Sequence, residues 1–277
     1  MRGLAGGGRA GGPVLELGLL AALPPAAQFD RPSPATRRNA AGLVETVAAG
    51  APRFDHGPDG APLGLLLEGA RTNLLWRGGA FGQAPWFATR LAVAAVAGAA
   101  PDGGPAWRLD CDGSGGFANL AQTASGPGGQ TYTASVHIRA GTLGRLALRC
   151  QTGASQYVGA VFDLAGGAPA PTDAQAPIAA AASDCGGGWR RIAITVATAE
   201  GFAEPRVFLY PVAGSFGATV PAGGNILAWG AQLERGGHAS SYIPTAGGTA
   251  LRAADSAALA VGAWPGAGGT LLAAGRP

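Results

Sequence analysis

The sequence contains no lysine, so every basic side chain other than histidine is an arginine. The arginines are scattered, with adjacent pairs only at Arg37-Arg38 and Arg190-Arg191, and the formal net charge at pH 7 is +3. A nucleic-acid-binding protein normally shows a basic patch or stripe, so we expect no nucleic-acid partner. Arginine, more than lysine, suits planar, bidentate recognition of a carboxylate or phosphate, such as one on an acidic glycan.

Cysteine is scarce as well: Cys111, Cys150 and Cys185 lie far apart in the chain. None has the close Cys or His neighbour that a zinc site requires. An odd number of cysteines is weak support for a disulfide framework, so we expect single buried thiols.

Long apolar runs are also missing, and none approaches the roughly 20 residues that span a bilayer. Arg2 and Arg9 precede an apolar stretch at 14–23, but Glu16 interrupts that stretch and disfavours a cleaved signal peptide. We therefore expect no membrane partner, and a protein that is soluble or part of an assembly.

Glycine (49 residues) and proline (21 residues) are abundant, while 47% of the chain is hydrophobic. Many short strands joined by turns reconcile the two observations. Apolar and polar residues alternate with period two in several segments, which indicates half-buried antiparallel strands. The apolar members of this alternation are Tyr132, Ala134, Val136 and Ile138; Leu146, Leu148 and Cys150; Val158, Ala160, Phe162 and Leu164; Ile192, Ile194 and Val196; and Leu227, Trp229, Ala231 and Leu233. The expected fold is all-β, a jelly-roll β-sandwich preceded by an extended N-terminal arm.

Composition divides the chain into four segments. Residues 1–24 are Gly- and Ala-rich and are expected to form a flexible or docking N-terminus. Residues 25–71 are dense in turn signals and predict an extended attachment arm that lies against a partner or the next domain. The jelly roll is assigned to residues 72–245, and residues 246–277 form a Gly/Ala-rich C-terminal tail.

The alternation also sorts the aromatic residues. Trp229 shares a face with Leu227 and Leu233, which predicts that it lies in the core. Trp189 shares its face with polar residues instead, as do Tyr157 and Tyr210. If these outer faces line one sheet, they form a surface of aromatic, arginine and histidine side chains, which suits stacking on sugar rings and hydrogen bonding to hydroxyls. The residues predicted to bind ligand are Trp189, Tyr157, Tyr210, Arg191, Arg149 and His137, with Arg206 beside them; a covered, structural role for these aromatics is the alternative.

A calcium loop is a weaker candidate. Asp110, Asp112 and Ser114 supply alternate oxygen ligands around Gly113. The later bidentate Glu of an EF-hand is missing, and the same residues form an ordinary hairpin turn. No cofactor is predicted, and a structural calcium, for example near Glu234, stays an open alternative.

Catalysis is disfavoured. Gly113-Ser114-Gly115-Gly116 is superficially similar to the serine-protease motif Gly-Asp-Ser-Gly-Gly, but no His or Asp stands in a supporting motif. Asp163 and Glu234 are the clear strand-borne carboxylates, and neither has an evident partner for glycoside cleavage.

Several short sequence motifs nevertheless resemble those of a known family. They are Pro52-Arg53-Phe54-Asp55, Gly69-Ala70-Arg71-Thr72-Asn73-Leu74-Leu75, Gly188-Trp189-Arg190-Arg191, Trp229-Gly230-Ala231-Gln232-Leu233-Glu234, Ser241-Tyr242-Ile243-Pro244-Thr245 and Arg252-Ala253-Ala254-Asp255. Together they resemble phage-type fibre and spike proteins that carry a carbohydrate-binding-module-like jelly roll. Arg190 stands where that family usually has an aromatic residue.

The lysine-free composition and Gly/Ala-rich ends narrow the resemblance to head spikes of alphaproteobacterial gene transfer agents, phage-like particles that package host DNA. The resemblance implies a virion protein, assembled in the bacterial cytoplasm, that binds capsular polysaccharide on a host cell. It also implies contacts with other virion proteins through the N-terminal arm, and a homo-oligomer. The alternatives are a structural adaptor between capsid or baseplate and another fibre, and a polysaccharide depolymerase with two carboxylates about 5 to 9.5 Å apart.

Overall fold

The predicted all-β class is confirmed. A computed structural model describes residues 22–23, 25 and 27–259 of the 277-residue chain, and this part contains no helix, so none that could cross a membrane. The strands of the described part are β1 Ala27–Asp30, β2 Ala35–Arg38, β3 Val44–Val47, β4 Phe54–His56, β5 Pro62–Leu65, β6 Arg71–Asn73, β7 Phe87–Thr89, β8 Leu91–Val96, β9 Ala106–Cys111, β10 Asn119–Thr123, β11 Thr131–Ala140, β12 Arg145–Gly153, β13 Gln156–Asp163, β14 Ala170–Pro171, β15 Ala179–Gly186, β16 Trp189–Ala197, β17 Arg206–Val212, β18 Asn225–Arg235, β19 Ala250–Arg252 and β20 Ser256–Leu259.

Two six-stranded sheets form the sandwich, as expected of a jelly roll. Sheet I has the strand order β14-β13-β12-β17-β10-β7, and sheet II has the order β15-β16-β11-β18-β9-β8. The paired strands run antiparallel, so each strand presents alternate side chains to the core and to the outside.

The core between the sheets contains the apolar residues predicted from the alternation. Burying one such large side chain contributes about 1.5–3 kcal/mol. The confirmed core residues are Tyr132, Ala134, Val136 and Ile138 of β11, Leu146, Leu148 and Cys150 of β12, Val158, Ala160 and Phe162 of β13, and Ile192, Ile194 and Val196 of β16. All three cysteines are buried and free, also as expected.

The alternation changes phase within β18, where the predicted face is wrong. Ala228 and Ala231 both lie in the core, whereas Trp229 belongs to a second buried cluster on the outer face of sheet II. The cause is an irregular register opposite β11 at Gly230, whose φ is 64°. One extra residue in a strand moves every following side chain to the other face. Trp229 is therefore buried, as predicted, but in a different cluster.

Residues 27–71 and 246–259 carry short strands that pair with one another. β2 pairs with β3 and β4 with β5 as hairpins, whereas β1 pairs with β20 and β6 with β19. We call residues 27–71 the arm. It packs on the outer face of sheet II: Thr36 Oγ1 donates to the Tyr242 carbonyl at 2.5 Å, and Val44 N donates to the Pro101 carbonyl at 2.9 Å. The predicted docking N-terminus falls almost entirely outside the described residues, as does the tail after residue 259.

A buried ion network ties the arm to the segment that follows the sandwich. Asp255 accepts hydrogen bonds from Arg31 at 3.0 Å, from Arg53, and from the Glu68 backbone N–H at 2.8 Å. Glu68 in turn accepts from Arg53 at 2.9 Å and from Arg252 at 2.6 Å. The three arginine side chains are almost fully buried. We call these five residues the buried ion network. Three of them, Arg53, Arg252 and Asp255, lie in the sequence motifs that carry the family resemblance.

The Gly230 bulge should tolerate no side chain. In Gly230→Ala the new Cβ lies 3.0 Å from His137 Nδ1, in a backbone conformation that L-residues rarely adopt. We expect a loss of about 1–3 kcal/mol in the free energy of unfolding. Gly237→Ala is the control, because its Cβ meets nothing within 4 Å. Equal unfolding midpoints in urea for the two variants would contradict this account of the bulge.

Asp255→Asn should destabilise the protein strongly. It removes the carboxylate that pairs with Arg31 and one of the two that pair with Arg53, and breaking a buried ion pair costs about 3–5 kcal/mol. The matched control is Asp163→Asn, because Asp163 pairs at 2.7 Å with the exposed Arg145, an arrangement worth less than about 1 kcal/mol. Urea unfolding of both variants measures the difference, and similar losses would show that the network does not stabilise the fold.

Candidate functional site

The structure divides the six predicted ligand-binding residues between two faces of the sandwich. Tyr157, Tyr210 and Arg149 belong to sheet I, on β13, β17 and β12. Trp189, Arg191 and His137 belong to sheet II, on β16 and β11. The six residues therefore do not form the single binding surface that was predicted for the case in which all their faces line one sheet.

The three residues of sheet II are covered by the chain itself. Trp189 is 4% exposed, and its Nε1 donates to the Ala99 carbonyl at 3.1 Å. Arg191 donates to the Ser240 carbonyl at 2.6 Å and to Ser135 Oγ at 2.9 Å. His137 is 3% exposed. Polar strand faces usually meet solvent, but here other parts of the chain cover these groups and remove them from the accessible surface, with His137 Nδ1 and Arg191 Nε left without a hydrogen-bond partner among the described residues.

The outer face of sheet I is not covered by the arm, and it concentrates aromatic residues. We call this surface the aromatic face; it consists of Phe87, Phe117, Tyr157, Phe208, Tyr210 and Phe216, with Arg149 and Arg206. Phe208 and Tyr210 are buried beneath their neighbours, at 8% and 6% exposed, so the predicted ligand-binding Tyr210 does not present its ring to solvent. Register across the sheet places these side chains in rows. One row runs Tyr157, Gln151, Arg206, Thr123, and the next runs Gly159, Arg149, Phe208, Ala121, Phe87.

Small residues stand on either side of the two large ones in the second row. Ala121 separates Phe208 from Phe87, and Gly159 flanks Arg149. A Cβ at Gly159 would lie 2.6 Å from the Leu148 carbonyl oxygen, so the backbone leaves no room for a side chain there.

The aromatic rings support one another toward one edge of the face. Phe208 and Tyr210 stack with their centroids 5.6 Å apart, and Phe216 meets Tyr210 edge-on at 5.3 Å. Phe117 lies above them, 51% exposed, with a φ of 59° that is rare for a non-glycine residue. Phe87 is 42% exposed on the edge strand β7. Phe117 and Phe87 are therefore the accessible phenylalanine rings of this face.

Arg149 holds Tyr157 in place and is itself neutralised. Its guanidinium forms a two-point ion pair with Asp173, with Nε to Oδ2 at 2.9 Å, and lies 4.3 Å from the centroid of the Tyr157 ring. Burial would lower the pKa of Arg149, but Asp173 outweighs it and raises that pKa. Because its charge is already paired, Arg149 positions the tyrosine.

Arg206 carries the positive charge that the aromatic face leaves available. Its Nε donates to Thr123 Oγ1 at 2.7 Å, and no carboxylate of the described residues forms an ion pair with it. The guanidinium lies 5.5 Å from the Phe87 centroid and 5.9 Å from that of Phe208. The alternation in β17 had already placed Arg206, Phe208 and Tyr210 together. Phe87, Phe117 and Phe216 were missed, since they lie in a three-residue strand and two loops without periodicity.

The candidate carboxylates do not form a pair. Asp163, on sheet I, binds Arg145 at 2.7 Å. Glu234, on sheet II, is buried and accepts from Ser240 N and Oγ, both at 2.6 Å. Asp112, in the proposed calcium loop, accepts from Ser114 N at 2.8 Å within a local turn. The described residues contain no group of three His, Cys, Asp or Glu side chains that could hold a metal ion.

No protein-family model and no curated protein sequence matches the chain. Among solved structures, it is similar to the enzymatically active domain of tailspike protein 4 of bacteriophage CBA120, at 9% identity and a TM-score of 0.40, over 59% of this chain and 21% of that one. It is also similar to the module TmCBM61 in complex with β-1,4-galactotriose, at 15% identity and a TM-score of 0.39, over 59% of this chain and 99% of that one. A third similar structure is the CBM22-1 xylan-binding domain of Xyn10C from Paenibacillus barcinonensis, at 10% identity and a TM-score of 0.37, over 61% of this chain and 94% of that one. At these TM-scores none of the likenesses assigns a ligand to this chain.

His137 should make stability depend on pH. Burial, together with Arg191 and Arg38, holds its pKa well below the ordinary 6.5, so the folded state keeps it neutral. The unfolded chain binds this proton below pH 6.5 and the folded chain does not, so stability falls as pH drops from 6.5 toward the folded value, by up to about 1.4 kcal/mol per pH unit. We expect the slope between pH 6.5 and 5 to disappear in His137→Gln and to persist in the control, the exposed His238→Gln. An unchanged slope in His137→Gln would refute the assignment.

Proposed function

We propose that this protein is a non-enzymatic, glycan-binding spike or fibre of a phage-like particle, and that it attaches the particle to host polysaccharide through the aromatic face. The observation that carries the proposal is Arg206, an arginine without an ion-pair partner in the described part of the chain, which lies on the outer face of sheet I between two rings, Tyr157 in its own row and the exposed Phe87 in the next. Tyr157, Arg206 and Phe87 stand on strands β13, β17 and β7 of one sheet. The virion role and the gene-transfer-agent setting rest on the motif resemblance alone.

The chemistry of the face suits an extended glycan. Exposed rings offer apolar surfaces for the C–H faces of sugars, and Gln151 and Thr123 stand beside them in the row as hydrogen-bonding groups. Strands β13 and β7 are four strand spacings apart, about 19 Å at roughly 4.8 Å each, so the face can contact more than one sugar ring. Arg206 can form two hydrogen bonds with a uronate or sulfate group.

Attachment through such a shallow face depends on the number of copies. An open sheet face leaves much of the ligand in water, so each site binds weakly. Several copies on one particle strengthen attachment because later binding events are intramolecular.

A structural adaptor is the second candidate, and one observation favours it. The arm exposes three large apolar side chains, Leu43, Leu63 and Leu67. Such residues suit contact with another virion protein. In that case a neighbouring protein would cover the aromatic face in the assembled particle, and the isolated protein would bind no polysaccharide.

Binding of purified protein to bacterial capsular polysaccharide tests the proposal. We expect Tyr157→Ala and Phe87→Ala each to weaken binding about tenfold, because an aromatic contact contributes about 0.5–1.5 kcal/mol beyond its area. Arg206→Gln should weaken binding to acidic polysaccharide more than to neutral polysaccharide. Ile178→Ala is the control, since this residue is 65% exposed and precedes β15 of the other sheet.

Thermal unfolding of all variants separates lost binding from lost folding. If no polysaccharide binds, the adaptor candidate takes precedence. If polysaccharide binds equally to all variants, the aromatic face is not the site. Release of new reducing ends during the incubation would overturn the non-enzymatic part of the proposal.

A further inference from the structure

A pocket of about 190 Å³ lies at the junction of the arm and sheet II, away from the aromatic face. The arm contributes Thr36 and Thr46, the loop between β8 and β9 contributes Asp102, and the sandwich side contributes Trp229 and Tyr242. Pockets for drug-sized ligands measure about 300–1,000 Å³, so this one accommodates a smaller molecule.

Two hydrogen-bond donors line this pocket without a protein partner. The Trp229 and Tyr242 side chains are 3% and 6% exposed, and neither Trp229 Nε1 nor Tyr242 Oη forms a hydrogen bond within the described residues. The other buried or half-buried indoles each donate to a backbone carbonyl: Trp86 to Arg77, Trp107 to Gly79 and Trp189 to Ala99. Both side chains are largely enclosed by the chain, yet their polar atoms face the pocket, so they are available to an acceptor that enters it.

The remaining groups restrict the chemistry of the occupant. One carboxylate oxygen of Asp102 accepts a hydrogen bond from the Gly104 N–H at 2.9 Å, and the other oxygen has no partner in the described part of the chain. Burial, followed by the nearby Asp102 carboxylate, raises the pKa of Tyr242, which keeps its hydroxyl protonated as a donor. An organic cation would pair with Asp102 but leave both donors unpaired, whereas an anion would be repelled by Asp102. A neutral ring with several hydroxyls supplies donors to the carboxylate and acceptors to the indole and phenol.

The floor of the pocket fits an approaching ring. Gly79 lines it, and a Cβ there would come within 3.4 Å of Trp229 Nε1 and 3.5 Å of Tyr242 Oη. The absent side chain therefore keeps the two donors accessible.

We propose that this pocket binds a single neutral sugar ring, as a second carbohydrate site on the opposite side of the sandwich from the aromatic face. The site does not depend on the aromatic face. Because the arm forms one wall, a bound sugar contacts the arm and the sandwich together, and its binding strengthens their association.

Saturation-transfer NMR with methyl β-D-glucopyranoside, methyl β-D-galactopyranoside and methyl α-D-mannopyranoside tests the proposal on the full chain. We expect at least one of them to bind with a Kd on the order of 1 mM, as small ligands of this size do. Tyr242→Phe and Asp102→Asn retain the shape of the pocket and should each weaken binding at least tenfold. Amide hydrogen exchange in β2 and β3 should slow when the sugar is present.

Tyr157→Ala is the matched control, because it alters the aromatic face and leaves the pocket intact. Unchanged monosaccharide binding in that variant supports a second site. Loss of binding in Tyr157→Ala, with full binding in Tyr242→Phe, would place the sugar on the aromatic face and overturn this inference while supporting the proposed function. Binding of tetramethylammonium in place of the three sugars, or of no sugar at tens of millimolar, would also overturn it.

Discussion

The arrangement of this molecule depends on a cluster of charges sealed inside it. Arg31, Arg53 and Arg252 are almost fully buried, and Asp255 and Glu68 bridge between them. Removing so many charges from water is expensive, and only a dense set of hydrogen bonds compensates for it. Arginine can meet this requirement because its planar guanidinium presents five donors in fixed directions. Ser241 adds a hydroxyl that accepts from Arg53 and Arg252 and donates to Glu68 at 2.6 Å.

This network determines which side of the sandwich can meet a ligand. It joins the arm to the strands that follow the sandwich, and both lie against sheet II, whose polar outer residues are thereby enclosed. Thr133 and Thr195, for example, share one hydrogen bond at 2.9 Å between their hydroxyls, and the hydroxyl that accepts it donates in turn to a backbone carbonyl of the loop after β18, at Gly236 or Gly237. Sheet I has no such cover, and its outer face keeps accessible rings. The sequence motifs that resemble those of phage fibre proteins therefore contribute residues that join the arm to the sandwich. The aromatic face is built from residues outside these motifs.

Period-two alternation was sufficient to identify the inward face of the long strands, because one side of each strand packs in a single continuous core. The assignment of the inward face failed at Gly230, where an extra residue reverses the alternation, because the sequence does not show whether a glycine within a strand forms a bulge. The outer faces were harder to interpret. Polar neighbours made Trp189 and His137 resemble solvent-facing residues, but those neighbours form hydrogen bonds with the loop that follows β18, which sequence periodicity cannot place. Phe87 and Phe117 left no periodic signal at all.

The pairing of β1 with β20 has a mechanical consequence. Ala27 stands directly across from Leu259, and paired residues in an antiparallel ribbon are about 5 Å apart. The two ends of the part of the chain that the structure describes continuously therefore lie side by side, next to the arm. A force applied between the outer face of sheet I and these two ends would load both of them together, through the β1–β20 pair.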